Sequence, residues 1–293
     1  MTRTSTTTIG LFDSGFGGLT VAREVRRQMP QANIEYYGDN GRAPYGPRTR
    51  EEIVRMTRQC VDFLATKNLD LLIIACNTAT AAALDELTGP YPFPVLGVIG
   101  AGVDAAIATT RNNKVGVIAT QFTIESEAHK NAIQKAHPEM TVIGKACPSF
   151  TPLVEAGKAE SPEAERDAKE YLSVYQDSGI DTLVLGCTHY PFLLDVVKRN
   201  VPAGVTFVDP AVETVKQAIA LLSERGVCVQ TDEQEDLDNR VCSCPEESEH
   251  ATCSCEPAPT YHFYTSGDPV HFEKHGSRFF GTPTGPVKKV SFG

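Results

Sequence analysis

Short apolar runs alternate with stretches whose apolar residues recur at helical spacing along most of the chain. Ile9–Phe12 is a strand candidate, and Gly15-Phe-Gly-Gly then turns into a helix with Leu19, Ala22, Val25 and Met29 on one face, followed by Pro30. Asn33–Tyr37 is a second strand. Thr49-Arg-Glu-Glu52 fits a capping box, and Ile53, Met56, Cys60 and Leu64 form the buried stripe of the next helix. Leu71–Ala75 is continuously apolar, as in a sheet covered on both faces. Val95–Ile99, Val115–Ala119, Thr141–Gly144, Leu183–Gly186 and Val205–Val208 read the same way. A helix begins at Ser161-Pro162, a cap followed by proline at the first helical position, and another spans Val212–Arg225 and stops at Gly226. Strand and helix in alternation predict an α/β fold of mainly parallel sheets with helices on both faces.

Two segments echo each other. Leu71-Leu-Ile-Ile-Ala-Cys76-Asn-Thr and Leu183-Val-Leu-Gly-Cys187-Thr-His each give a buried strand, a cysteine, small polar residues and a helix start. The echo predicts two similar three-layer α/β units, one built around each cysteine, and a length of 293 residues suits about two domains. Residues 233–259 break the pattern: they are acidic, hold Pro245 and Pro257, and lack periodicity, so they read as an inserted loop. Regular pattern resumes at Tyr261–Thr265.

The formal net charge is −10 with no basic block, which argues against a nucleic-acid groove or an anionic membrane surface as partner. The most apolar stretches, Leu71–Cys76 and Val95–Val103, fall well short of the roughly 18 residues a spanning helix needs. The opening MTRTSTTTIGLFDSG has no apolar signal core, so a cytoplasmic location with reduced thiols is expected for the nine cysteines.

In open α/β sheets ligands bind at the carboxyl ends of strands. Four polar clusters fall there: Asp13-Ser14, Asp39, Cys76-Asn77-Thr78 and Cys187-Thr188-His189. Asn77, Thr78 and Thr188 are good cap residues, so each cysteine is expected to face the positive end of a helix dipole, which makes thiolate available. The same N–H groups can hold a carboxylate. Two thiols in matched settings suggest one chemistry needed twice, and inversion of a carbon stereocentre is such a chemistry. One base takes the Cα proton from one face while an acid on the other face delivers a new one. Each feature has a plainer reading: either cysteine as a small buried hydrophobe, His189 as a structural histidine, Asp39-Asn40-Gly41 as a turn. Gly15-Phe-Gly-Gly lacks the dinucleotide-binding spacing.

With these residues in view, the sequence resembles the glutamate racemases of the aspartate/glutamate racemase superfamily. Ile9-Gly-Leu-Phe-Asp13-Ser-Gly-Phe-Gly-Gly-Leu-Thr20 is similar to the family's opening strand and loop, and Tyr36-Tyr-Gly-Asp39 with Arg42-Ala-Pro-Tyr45-Gly46 to its second loop. Ala75-Cys76-Asn77-Thr78-Ala79-Thr80-Ala81 and Gly186-Cys187-Thr188-His189-Tyr190-Pro191 resemble its two catalytic-cysteine motifs; Pro152-Leu-Val-Glu155-Ala-Gly157 and Thr265-Ser-Gly-Asp268 also match.

The resemblance implies two α/β domains with the active site in the cleft between them: 1–98 with 208–293 as the first, 99–207 as the second, and the insert at about 230–260. It implies interconversion of L- and D-glutamate without cofactor, supplying D-glutamate for peptidoglycan, by a homodimer. It makes Cys76 and Cys187 the acid/base pair, Cys76 acting on the D enantiomer and Cys187 on the L. Asp13, His189 and Glu155 assist the thiols. Asp13, Ser14, Tyr45, Gly46, Asn77, Thr78, Thr188 and His189 bind substrate. A pyridoxal enzyme needs a Schiff-base lysine, and none stands among these residues. The alternatives are a racemase of aspartate or another amino acid, or a non-catalytic amino-acid-binding or regulatory protein. The insert is foreign to the family pattern. Its Cys242, Cys244, Cys253 and Cys255 could ligate Zn²⁺, close a pair of disulfides, or stay free in an acidic loop.

Overall fold

The computed structural model describes residues 7–227, 229, 231 and 258–292; the four insert cysteines lie outside them. Among the described residues ten strands form two all-parallel sheets. The first contains β1 (Thr8–Asp13), β2 (Asn33–Gly38), β3 (Leu71–Ile74), β4 (Val95–Gly97), β9 (Tyr261–Thr265) and β10 (Val287–Lys289), in the order β10-β9-β2-β1-β3-β4. The second contains β5 (Lys114–Ala119), β6 (Thr141–Ala146), β7 (Thr182–Gly186) and β8 (Thr206–Val208), in the order β6-β5-β7-β8. The C-terminal strands thus return to complete the first sheet beside β2.

Side-chain alternation along each strand builds the layers. Ile9, Leu11, Ile34, Tyr36, Leu71 and Ile73 point to one face of the first sheet, where α1 (Leu19–Gln28), α10 (Pro210–Glu224) and α11 (Pro269–Phe280) cover them. Phe12, Tyr37, Leu72, Ile74 and Tyr264 point to the other, under α2 (Arg50–Ala65) and α3 (Asn77–Leu87). In the second sheet Val115, Val117, Val184 and Val208 pack against α4 (Val98–Thr109) and α6 (Ala128–Ala136), with α5 (Gln121–Glu125) between β5 and α6. Ile118, Leu183 and Leu185 face α7 (Phe150–Glu155), α8 (Pro162–Leu172) and α9 (Leu194–Arg199). Each fully buried Leu or Ile contributes about 1.5–3 kcal/mol of transfer free energy. Helix α10 packs on both α1 and α4, tying the two units together.

Four local expectations are corrected. The apolar run Val95–Ile99 is strand only to Gly97: Val98 and Ile99 open α4, which the run could not distinguish from strand because both states are buried. Strand β6 is an edge, half-exposed along its length, not covered on both faces. The N-cap of α3 is Cys76 itself, whose Sγ accepts the Ala79 N–H, with Asn77 and Thr78 inside the first turn. The segment after Cys187 is a single 3₁₀ turn, Tyr190–Leu193, leading into the short α9, so Cys187 has no regular helix dipole behind it.

The capping box at Thr49 is formed as read: Thr49 Oγ1 accepts the Glu52 N–H at 3.3 Å and Glu52 Oε2 accepts the Thr49 N–H at 3.1 Å. Thr49→Ala is expected to cost about 1 kcal/mol, read as a lower urea midpoint at unchanged slope; an unmoved midpoint would deny the box any energetic weight.

Candidate active site

The carboxyl ends of the two sheets meet. Asp13 ends β1, Cys76 follows β3, Thr120 follows β5 and Cys187 follows β7. Thr188 donates to Asp13 Oδ1 at 3.4 Å, and the Thr78 hydroxyl lies 2.9 Å from that of Thr120. Both hydrogen bonds cross from one sheet's loops to the other's. Gly17 permits this approach: a Cβ there would sit 2.1 Å from Thr188 Oγ1 and 2.6 Å from His189 Nδ1.

Both thiols are free and almost fully buried, Cys76 at 6 % exposure and Cys187 at 7 %. Ser14 Oγ lies 3.3 Å from Cys76 Sγ. Burial, and then the Asp13 carboxylate, push the Cys76 thiol up to about 12 against the pull of Ser14 and the Ala79 N–H. Cys76 therefore rests protonated. On the other side, Cys187 Sγ lies 3.6 Å from Thr151 Oγ1 and 3.8 Å from His189 Nδ1, and His189 Nε2 is 3.1 Å from Glu155 Oε1. Burial alone would lower the imidazole, but its bonds to Cys187 and Glu155 win and raise it to about 10. His189 is thus held as an imidazolium between a sulfur and a carboxylate. Asp13, 1 % exposed, is raised by burial; the charge of His189 and the N–H groups of Gly15 and Gly18 oppose that rise.

Among the described residues no group bonds the buried Asn77 Oδ1. A void of about 10 Å³ lies among Asn77, Cys187, Thr188 and Pro210, so the first turn of α3 and the Cys187 loop share one space. Cys76, Cys187, Asp13, Ser14, His189, Glu155, Asn77, Thr78 and Thr188 are all brought to one place. Gly46 comes near it as well, since a Cβ on Gly46 would lie 3.4 Å from Thr120 Cβ. The Tyr45 side chain does not. It is buried in the core with Phe12, and its hydroxyl bonds Asp39. Asp39 is neither a bare turn nor part of the thiol cluster: fully buried, it holds Arg42 at 2.7 Å and accepts from Ser266 Oγ at 2.6 Å, pinning the 39–46 loop to the C-terminal part of the chain.

Sequence reasoning missed Gly17, Thr120, Thr123 and Thr151. Thr120 and Thr123 follow the carboxyl end of β5, the same signal that located Asp13 and Cys76; their hydroxyls are 2.9 Å apart, and Thr123 reaches Thr78 at 3.3 Å. Thr151 sits one residue before the Pro152–Gly157 motif.

The arrangement therefore gathers hydroxyls, a carboxylate, an imidazole and two thiols where the two sheets meet. A sequence model described as Asp/Glu/Hydantoin racemase matches residues 19–218. The chain belongs to the Asp/Glu/hydantoin racemase family. A glutamate racemase of Enterococcus faecalis is 39 % identical over 285 residues, covering 97 % of this chain and 96 % of that one. Among solved structures, the glutamate racemase isoform RacE1 of Bacillus anthracis superposes with a TM-score of 0.83 at 34 % identity, covering 98 % of this chain and 97 % of its own. A Francisella tularensis glutamate racemase in complex with D-glutamate superposes equally well, TM-score 0.83 at 33 % identity, with 97 % of each chain covered. Among the described residues of this family member, no helix is long and apolar enough to cross a membrane.

The His189 charge has a signature in stability. Its folded value lies above the ordinary 6.5, so its contribution is full below pH 6.5 and is lost as the pH rises through about 10. His189→Gln is expected to flatten the fall of the thermal midpoint between pH 6.5 and 10; a variant that falls as steeply as the parent would mean the imidazole is neutral.

Proposed function

We propose that this protein interconverts L- and D-glutamate without a cofactor, by two-thiol proton transfer at Cα. The carrying observation is the convergence of Cys76 and Cys187 from different sheets, each with its own hydrogen-bonding partners. In one direction the Cys187 thiolate takes the Cα proton of L-glutamate and becomes a thiol, while the Cys76 thiol gives its proton to the opposite face and becomes a thiolate. In the other direction the roles exchange. No electron is gained or lost. The substrate's carboxylates find N–H groups of the first turn of α3 and the hydroxyls of Ser14, Thr78 and Thr188, while Asp13 pairs with the ammonium. Preorganised donors in a site closed to water stabilise the carbanion character at Cα. Gly46 and Tyr45 contribute through their backbone, since the Tyr45 side chain is committed to Asp39. The relatives' names support glutamate as the substrate. The same reading carries a cytoplasmic homodimer that supplies D-glutamate for peptidoglycan, checked by sedimentation equilibrium and by growth of a depleted strain on added D-glutamate.

Each glutamate enantiomer incubated in D₂O is expected to lose optical rotation and to gain deuterium at Cα. Racemisation of aspartate but not glutamate would overturn the substrate assignment. Cys76→Ala and Cys187→Ala are each expected to lower racemisation at least ~10³-fold with the fold retained, in keeping with loss of an acid or base at the reacting atom. Parental turnover in either variant would remove that thiol from the mechanism. Asn77→Ala is expected chiefly to raise KM, because it removes a group offered to the bound substrate; a loss confined to kcat would move Asn77 from binding to transition-state stabilisation.

A further inference from the structure

Helix α11 carries two histidines, His271 and His275, that the reaction does not use. Residues four apart on a helix lie on one face, and here the two imidazole rings stand with centroids 4.2 Å apart. His271 is exposed and His275 is half-buried, so both can be reached from solvent. Among the described residues neither ring makes a hydrogen bond, which leaves their nitrogens free. The pair rests on Phe16, whose ring centroid lies 5.7 Å from that of His271 and 6.1 Å from that of His275. Phe16 follows Asp13 and Ser14 in the loop after β1.

We propose that His271 and His275 form a binding site for a divalent transition ion, of the nickel, copper or zinc class, at the rim of the active site. Two imidazoles at i and i+4 on a helix are a donor set these ions favour over magnesium or calcium, which take oxygen ligands. Among the described residues no third histidine, cysteine or carboxylate joins the pair, so water completes the coordination. Burial of His275 and the neighbouring charges of His271, Lys274 and Arg278 disfavour its protonated form, which keeps the imidazole in the neutral state that binds metal. Lys274 and Arg278 also oppose a dication, which sets the affinity below that of a four-ligand structural site.

Calorimetric titration of the full chain with Ni²⁺ at neutral pH tests this. The parent is expected to bind one ion at this site, and His271→Ala and His275→Ala to bind it at least tenfold more weakly. A variant with Cys242, Cys244, Cys253 and Cys255 all changed to Ser is expected to retain the site. Because His271 is exposed, its replacement leaves the fold intact. Parental affinity in both histidine variants, loss of binding in the four-serine variant, or no binding by the parent would each overturn the site. None of these outcomes bears on the racemase reading, which the D₂O exchange decides separately.

Discussion

A buried carboxylate answered by a buried imidazolium is the constraint on which this site depends. Asp13 comes from the end of β1 and is almost wholly out of water. An isolated ionised carboxylate in such a place costs far more than a domain can offset, so it must be hydrogen-bonded and compensated. Local N–H groups of Gly15 and Gly18 do part of this, but the opposite charge comes from His189, beyond the end of β7 in the other sheet. The compensation exists only when the two carboxyl ends are in contact, and Gly17, with no Cβ to hold them apart, makes that contact possible. Separating the units would leave Asp13 without its counter-charge and would expose both thiols to water together.

Much of this was legible in the chain. The continuous apolar runs at β1, β3, β5 and β7 mark strands buried on both faces, and the polar residues ending them mark the ligand edge. The capping box at Thr49 and the Ser161-Pro162 start are local chemistry, complete within four residues, and local chemistry survives folding well. What was not legible depends on the partner across a gap. Nothing in the sequence around Asp39 says that Arg42, Tyr45 and Ser266 will converge on it, since Ser266 is far along the chain. Thr141–Gly144 has a strand's composition, but only the strand order reveals that β6 has a neighbour on one side. Thr120 and Thr151 lack a motif of their own, because a hydroxyl becomes informative only beside the group it touches.

The echo between the two cysteine segments is real at the level of strand and cysteine and fails one residue later. Cys76 caps an eleven-residue helix and takes a backbone N–H from it. Cys187 is followed by a 3₁₀ turn and finds its donor in a side chain, His189, itself steadied by Glu155. Two similar units have therefore given their thiols different electrostatic surroundings: on one side a helix dipole set against burial and Asp13, on the other an imidazolium.

That asymmetry cannot bias the overall reaction, because enantiomers in water have equal free energy and the equilibrium constant of racemisation is fixed at one. It acts on the internal states. Burial and Asp13 hold Cys76 protonated, the state from which the proposed reaction of the L enantiomer starts. In the proposed reaction, one turnover of L-glutamate leaves Cys187 holding the proton taken from Cα and Cys76 as a thiolate, the form that burial and Asp13 disfavour. In the same proposal the substrate's ammonium, paired with Asp13, offsets the negative charge that raises Cys76 and so brings the two states closer in energy. On the proposed reading Asp13 thus has two connected effects: it adds to the burial that keeps Cys76 protonated, and that addition weakens once a substrate ammonium pairs with it.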